Sequence, residues 1–207
     1  MSQSDISVFI VDDDELVRTL LEELLKSVGL KTKSFSSAQV FLETFKQQNN
    51  PCCLVSDIRM PGLSGPDLQD ELIKRGLSIP IIFITGYGTV PMSVKAMKLG
   101  AVDFIQKPFE NQDMLDTINQ ALDKNRKIKL EMVEISKIDQ HLKSLTKREH
   151  EVLELIVNGT LNKIIASRLN MSESTVKTYR RRIMQKMEIG SLAELVRITE
   201  KHRKHSN

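Results

Sequence analysis

Tryptophan is absent from this chain of 207 residues, tyrosine occurs only twice, and no long apolar run is present. A transmembrane helix needs about 18 or more consecutive apolar residues. Residues 1–15 carry acids where a signal peptide would be apolar, and they lack its basic start. We therefore expect a cytoplasmic protein with no membrane segment.

Cysteine is nearly absent as well, and the two that occur, Cys52 and Cys53, are neighbours. A metal site needs more ligands, and adjacent cysteines rarely form a structural disulfide. We predict two buried thiols at the start of a strand, with a redox role as the alternative.

Neither sign of charge dominates the whole chain, whose net charge is +3. Residues 1–122 hold 11 Lys and Arg against 16 Asp and Glu, whereas residues 123–207 hold 19 against 11. An acidic first part and a basic second part predict two modules, with a polyanion as a candidate partner of the second.

Short apolar runs alternate with amphipathic stretches over the first 120 residues. Leu16 and Leu20 are the first two of four apolar residues that are spaced four positions apart. The series ends just before Gly29, a common helix stop. Ser36 or Ser37 is a candidate cap for the next helix. This alternation predicts an α/β fold with a doubly wound five-stranded parallel sheet. The predicted strands are 6–11, 31–35, 52–56, 81–85 and 101–105, and further helices are 64–75 and 90–99.

From residue 110 onward the pattern is helical. Residues 110–145 contain neither glycine nor proline, and apolar residues recur there at spacings of three, four and seven: Ile128, Ile135, Ile138, Leu142 and Leu145. These side chains either pack on the chain's own domains or form a short coiled coil between two protomers, and the repeat is too brief to decide.

Four short helices are predicted after residue 145, which makes a small all-α domain. Thr146 and Glu149 form a capping-box pattern at the start of the first, which ends at Asn158 and Gly159. The other three span about 162–169, 172–187 and 191–202.

Polar residues follow the predicted strands of the sheet. Ligands of an open parallel sheet bind beyond the carboxyl ends of its strands, so these side chains should converge. Clustered carboxylates call for a divalent cation such as Mg²⁺, and a carboxylate beside it is a plausible nucleophile toward phosphorus. Each residue alone is more often a helix cap or a loop residue, but the joint placement favours a site. The residues are Asp12, Asp13, Asp14, Asp57, Thr85 and Lys107.

The segments VDDDE (11–15), SDIRMPGLSG (56–65), ITGYG (84–88) and AVDFIQKPF (101–109) resemble the receiver domain of response regulators, a flavodoxin/CheY-like fold. The resemblance implies that Asp57 accepts a phosphoryl group and that the Lys107–Pro108 bond is cis. It also implies a Mg²⁺ site and a set of switch residues. The implied metal ligands are Asp12, Asp13, Asp57 and the backbone carbonyl of Arg59, and the implied switch residues are Thr85, Lys107 and Phe104.

In this family the face made by helix 90–99 and strand 101–105 commonly supports dimerisation. Met92 and Met97 are expected to pack in the core, whereas Val94, Lys95 and Lys98 are the candidates for an interface.

The segment 172–186 holds five Lys and Arg and one Glu. It is a solvated face, a membrane-surface helix or a DNA reader, and the preceding short helix and turn favour a helix-turn-helix. Helical phase places Val176, Ile183 and Met187 toward the core, and Tyr179 outward with the basic residues.

The segments 145–159, 162–169 and 171–187 resemble the NarL/FixJ (LuxR-type) helix-turn-helix, and the whole chain is most similar to the FixJ-like subgroup. The sequence departs from the family pattern at Ile165, Tyr179 and Arg182, which leaves the base preference open. The resemblance implies DNA contacts from Lys163, Thr175, Val176, Lys177, Arg180 and Arg181.

The sequence therefore predicts a receiver domain at 1–122, a helical linker at 123–142 and a DNA-binding domain at 143–207. We expect a transcription regulator and not an enzyme. A sensor histidine kinase would phosphorylate it, and the receiver would then form a homodimer or release the output domain. Paired helices would bind a twofold site in double-stranded promoter DNA. The alternatives are a phosphatase-like enzyme, which would need a lid or substrate domain, and a relay whose basic domain binds an acidic protein.

Overall fold

The computed structural model describes residues 7–86 and 97–205. The chain divides into two compact units, Met1–Lys129 and Leu130–Asn207. We refer to them as the N-terminal unit and the C-terminal unit. The division falls inside the predicted linker at 123–142.

The N-terminal unit contains a five-stranded sheet of order β2-β1-β3-β4-β5, and every neighbouring pair is parallel. The predicted doubly wound parallel sheet is thus confirmed. Its strands are β1 (Ser7–Val11), β2 (Lys31–Phe35), β3 (Cys52–Asp57), β4 (Ile81–Thr85) and β5 (Asp103–Gln106).

The hydrophobic core lies on both faces of the sheet because successive side chains of a strand point to opposite sides. Phe9 and Val11 belong to one apolar layer, while Val8 and Ile10 belong to the other. Every residue of β3 and β4 is buried. Edge strand β5 is only partly covered, and it begins two residues later than the predicted strand at 101–105.

Side chains cap the starts of the first three helices of the N-terminal unit, and of these caps only that of the second helix was predicted. The Asp14 carboxylate accepts from the backbone N–H of Leu16, and Ser37 rather than Ser36 caps the second helix. Ser64 and Asp67 form a capping box on the third. Within the described residues these helices are α1 (Glu15–Ser27), α2 (Ala38–Thr44), α3 (Gly65–Lys74) and α4 (Asn111–Lys143), and α4 continues into the C-terminal unit.

The buried face of α1 differs from the sequence repeat that predicted the helix. Leu16 and Leu20 are 74% and 65% exposed, whereas Leu21 and Leu25 are buried. The i+4 repeat therefore located the helix correctly but did not mark the side that packs on the sheet.

The C-terminal unit contains the four short helices predicted after residue 145. The predicted capping box of Thr146 and Glu149 is present, with the Glu149 carboxylate accepting from the Thr146 N–H at 2.7 Å. The four helices are α5 (Lys147–Val157), α6 (Asn162–Arg168), α7 (Glu173–Lys186) and α8 (Leu192–His205).

The second half of α4 and the residues just after it contribute to the apolar core of the C-terminal unit. Ile138 and Leu145 are buried in that core, and Leu142 packs against it. For these three residues the structure favours packing within the chain over the alternative of a coiled-coil seam. Ile128 and Ile135 are half-buried.

Both cysteines are fully buried at the start of β3, as predicted. Burial raises the pKa of the Cys52 thiol to about 11, although the charge of Lys129 opposes it. Burial and the neighbouring Cys52 also raise the pKa of Cys53.

One core prediction for the 90–105 face is wrong, because Met97 is 45% exposed. Lys98 is exposed. Met92, Val94 and Lys95 lie outside the described residues.

Candidate functional site

Three of the predicted site residues meet at the carboxyl edge of the sheet. Asp12 follows β1, Asp57 ends β3 and Lys107 follows β5. The Lys107 Nζ lies 2.7 Å from Asp12 Oδ2 and 2.9 Å from Asp57 Oδ1. Both carboxyl groups are buried and the lysine side chain is 21% exposed. One ammonium group therefore binds two carboxylates that are 45 residues apart in the chain.

Asp57 is held at both carboxylate oxygens. Its Oδ2 accepts from the backbone N–H of Arg59 at 2.7 Å, and its Oδ1 accepts from Lys107. Burial is the largest influence on the carboxyl group and raises its pKa above the ordinary value. The Lys107 ammonium and the Arg59 N–H oppose this, while the charge of Asp12 adds to it. The fold thus holds Asp57 at a buried site, where ionisation of its carboxyl group is less favourable than in water.

Lys107 stays protonated at this edge. Burial alone would lower its pKa, but its hydrogen bonds and charge interactions with Asp12 and Asp57 outweigh burial and raise the pKa. The site therefore carries a fixed positive charge beside Asp57, which is able to hold an anionic group placed there. The Lys107–Pro108 bond is cis, as the resemblance implied.

Thr85 and Phe104 lie on neighbouring strands and on the same face of the sheet. Thr85 pairs in register with Gln106, two residues after Phe104, and paired or alternate residues share a face. Thr85 is buried, and its backbone carbonyl accepts from the Lys107 N–H at 2.8 Å. Phe104 is half-buried against the apolar layer that contains Phe83. A hydroxyl and a partly exposed aromatic ring thus lie on one face of the sheet, along β4 and β5.

The acids that follow β1 have separate positions. Asp12 is buried, its Oδ1 accepts from the Asp14 N–H at 2.9 Å, and its backbone carbonyl accepts from Arg18 at 2.7 Å. Asp13 is exposed, and Asp14 caps α1. Arg18 was not singled out from the sequence, because an arginine one turn into a helix carries no motif of its own.

Within residues 7–86 and 97–205, no three side chains of His, Cys, Asp or Glu are spaced to hold a metal ion. The predicted convergence of Asp12, Asp13 and Asp57 is therefore seen only for the first and last of these. The donor chemistry still fits Mg²⁺, because carboxylate oxygens are ligands that this ion prefers. One oxygen of Asp12 and one of Asp57 both lie within 2.9 Å of the Lys107 Nζ.

Gly65 packs directly under the site. A Cβ added there would lie 2.4 Å from the backbone oxygen of Asp57 and 2.9 Å from the Phe83 ring. Only glycine lets the start of α3 approach the end of β3 this closely.

The C-terminal unit presents a second candidate site on α7. Ser172 caps this helix by accepting from the Thr175 N–H at 3.1 Å. Thr175, Lys177 and Arg181 are exposed on α7, and Lys163 is exposed on α6. Exposed cationic side chains at the start of the second helix of such a pair are suited to phosphates and base edges.

Three residues of α7 bear on the predicted DNA surface. The full burial of Val176 confirms the core position predicted from helical phase, so the DNA contact that the resemblance implied for its side chain is wrong. Tyr179 is half-buried against the core instead of facing outward. Arg180 is half-buried and donates to the Asn162 side chain at 3.2 Å. The core positions Ile183 and Met187 are buried as predicted.

Family comparisons match both parts of the chain. The family described as "Response regulator receiver domain" matches residues 8–119. The family described as "Bacterial regulatory proteins, luxR family" matches residues 143–199. None of the helices in the described ranges is long and apolar enough to cross a membrane.

Similar proteins cover nearly the full length of the chain. Response regulator protein TmoT of Ectopseudomonas mendocina is 45% identical over 97% of this chain and 91% of its own. Transcriptional regulatory protein FixJ of Azorhizobium caulinodans is 40% identical over 93% of this chain and 91% of its own.

Solved structures with both parts are also similar. Response regulator StyR has a TM-score of 0.84 and 45% identity, covering 95% of this chain and 99% of that chain. Full-length FixJ from B. japonicum has a TM-score of 0.57 and 36% identity, covering 96% of this chain and 97% of that chain.

Proposed function

Because the chain belongs to the two-component response regulators and joins a receiver domain to a LuxR-type DNA-binding domain, we propose that phosphorylation of Asp57 controls its binding to promoter DNA. The chain is a transcription regulator and not an enzyme. The observation that carries the proposal is the contact of the Lys107 ammonium with both Asp57 and Asp12 at the edge of the sheet.

A sensor histidine kinase is the proposed phosphoryl donor. A carboxylate oxygen of Asp57 attacks the phosphorus, and the bond from phosphorus to the donor nitrogen breaks. Lys107 then pairs with the oxygens of the transferred group, whose added charge matches the ammonium. Thr85, one residue beyond the pairing partner of Asp57 on β4, offers a hydroxyl to the same group.

Mg²⁺ is the proposed cofactor, and when bound it supplies charge neutralisation between Asp57 and the incoming phosphoryl oxygens. The ligands would be Asp12, Asp13, Asp57 and the backbone carbonyl of Arg59. The shared contact of Asp12 and Asp57 with Lys107 supports these two ligands, and exposed Asp13 is included as the residue that follows Asp12.

Phosphorylation is proposed to act through the face shared by Thr85 and Phe104. If Thr85 moves toward the phosphoryl group, the volume it leaves is open to the half-buried ring of Phe104 on the next strand. The altered surface then favours a homodimer, and paired domains bind a DNA site with twofold symmetry. We place this protein in the cytoplasm, with domain bounds of 1–122, 123–142 and 143–207.

DNA is proposed to lie against the exposed side of α7 and the start of α6. Val176 is left out because it is buried. Support for the assignment comes from exposed cations on a helix that follows a short helix and turn. The proposed contacts are Lys163, Thr175, Lys177, Arg180 and Arg181.

Phosphate incorporation tests the acceptor directly. The full chain is incubated with acetyl phosphate and Mg²⁺, and intact mass is measured. We expect a gain of one phosphoryl group in the natural protein and none in Asp57→Asn, because the amide is not a nucleophile toward phosphorus. Asp116→Asn, which changes an exposed acid on α4, serves as the control and keeps the gain. Undiminished incorporation in Asp57→Asn would refute the assignment.

A further inference from the structure

The last turn of α4 contacts the last residue of α7. His141 Nδ1 lies 2.7 Å from the backbone oxygen of Lys186. A carbonyl oxygen only accepts, so the imidazole must carry its proton on Nδ1 in this contact. Lys186 ends α7, and the last carbonyls of a helix have no partner within the helix. His141 therefore satisfies a carbonyl group that the helix leaves open.

The side chain of Lys186 is bound by the same part of the chain. Its Nζ donates to the backbone oxygen of Ser144 at 3.2 Å and to Glu149 Oε2 at 2.6 Å. Glu149 is itself buried. The backbone and the side chain of one residue at the end of α7 are thus both held by the segment 141–149.

The second half of α4 is also bound to α8. Lys201 Nζ lies 2.6 Å from Glu134 Oε2, and His202 Nε2 lies 3.4 Å from Asp139 Oδ1. Ile138 is buried between these polar contacts. A displacement of this half of α4 must therefore either break its contacts with α7 and α8 or carry both helices with it.

We infer that His141 is a positioning residue that couples the linker helix to the DNA-binding helix α7. The inference rests on the proposed control of DNA binding by Asp57. Lys177 lies nine residues before Lys186, or about 14 Å along the helix axis at 1.5 Å per residue. The linker thus holds one end of α7 while the proposed DNA contacts lie toward the other, so a shift of α4 tilts those contacts on the DNA.

The test compares His141→Phe with His141→Gln in the full chain. Phenylalanine keeps a ring of similar size but has no donor, whereas the glutamine amide keeps an N–H. DNA affinity is measured by fluorescence anisotropy with and without acetyl phosphate and Mg²⁺, and the ratio of the two affinities is the readout. We expect His141→Phe to reduce the ratio about fivefold, the scale of one hydrogen bond, and His141→Gln to keep most of it.

The possible outcomes distinguish a failure of this inference from a failure of the proposed function. If His141→Phe leaves the ratio of the two affinities unchanged, including by lowering both equally, the contact is only structural and the inference is wrong. If the natural protein shows no gain on phosphorylation, the proposed control by Asp57 fails, and the coupling with it. His150→Ala, a half-exposed histidine on α5, is the control and should keep the ratio. Thermal unfolding of each variant checks that it is folded.

Discussion

At the scale of single residues, Glu149 combines two tasks that the sequence showed only in part. The capping-box pattern predicted its bond to Thr146, but nothing in the sequence indicated its contact with Lys186, 37 residues away. Burial alone would raise the pKa of this carboxyl group. The bonds from Lys186 and Thr146 together outweigh burial and lower the pKa.

Glu149→Gln is expected to reduce the free energy of unfolding of the C-terminal unit by about 1–2 kcal/mol at pH 7. The pKa of Glu149 is lower in the folded than in the unfolded protein, so ionised Glu149 stabilises the fold above the unfolded pKa. That stabilisation is lost as the pH falls through the folded pKa. Urea unfolding at several pH values should therefore show the difference between variant and natural protein shrinking toward acid pH.

The matched control is Glu151→Gln, whose pair with Arg148 is about 40% exposed at both side chains. Exposed pairs contribute little, so this variant should change stability by less than about 1 kcal/mol at pH 7. An equal loss in the two variants, or a Glu149→Gln deficit that does not depend on pH, contradicts the role assigned to Glu149.

At the scale of helices and strands, local patterns predicted which elements form, and long-range packing decided their details. Apolar runs located β3 and β4 because both are fully buried. The predicted start of β5 was two residues early, because an edge strand is only partly covered and its apolar pattern is weaker. The core face of α1 depends on neighbours distant in sequence, and no local repeat encodes it.

The candidate site shows the same division. Strand ends placed Asp12, Asp57 and Lys107 at one edge in advance, since the topology follows from the alternation of elements. The contact of one ammonium with both carboxylates required side-chain geometry. The contact between His141 and Lys186 had no sequence signal at all, because 45 residues separate them.

Gly65→Ala tests the packing of α3 against β3. The new Cβ would lie 2.4 Å from the Asp57 backbone oxygen, so the end of the strand must move. We expect a loss of about 2–3 kcal/mol in the free energy of unfolding of the N-terminal unit, together with slower phosphate incorporation at Asp57. Gly86→Ala is the control, since an added Cβ there meets no heavy atom of the described residues within 4 Å. Equal stability of the two variants in urea would contradict this packing argument.

At the scale of the whole molecule, the two parts differ in charge. Residues 1–122 carry a net charge of −5 and residues 123–207 a net charge of +8. A basic domain attracts any polyanion, so charge alone does not separate DNA from an acidic protein as its partner. Two of the exposed cations on α7, Lys177 and Arg181, allow a more specific measurement.

Lys177→Ala combined with Arg181→Ala is expected to weaken DNA binding at least tenfold at a fixed salt concentration. Each lost phosphate contact lowers the slope of log affinity against log salt by about one, so the slope should fall by about two. The control is Lys124→Ala with Lys127→Ala, which removes the same charge from exposed positions on α4. If the control changes the slope as much, net charge rather than the α7 surface accounts for the affinity.

Burial of Cys52 and Cys53 leaves the folded protein with no accessible thiol, because the chain has no other cysteine. Maleimide reagents react with thiolates, which burial and a raised pKa both suppress here. A single cysteine introduced on an exposed helix position is thus a selective attachment point for a fluorophore, with no native residue removed first. Reaction of the two native thiols, in turn, reports the opening of β3, the strand that ends in Asp57.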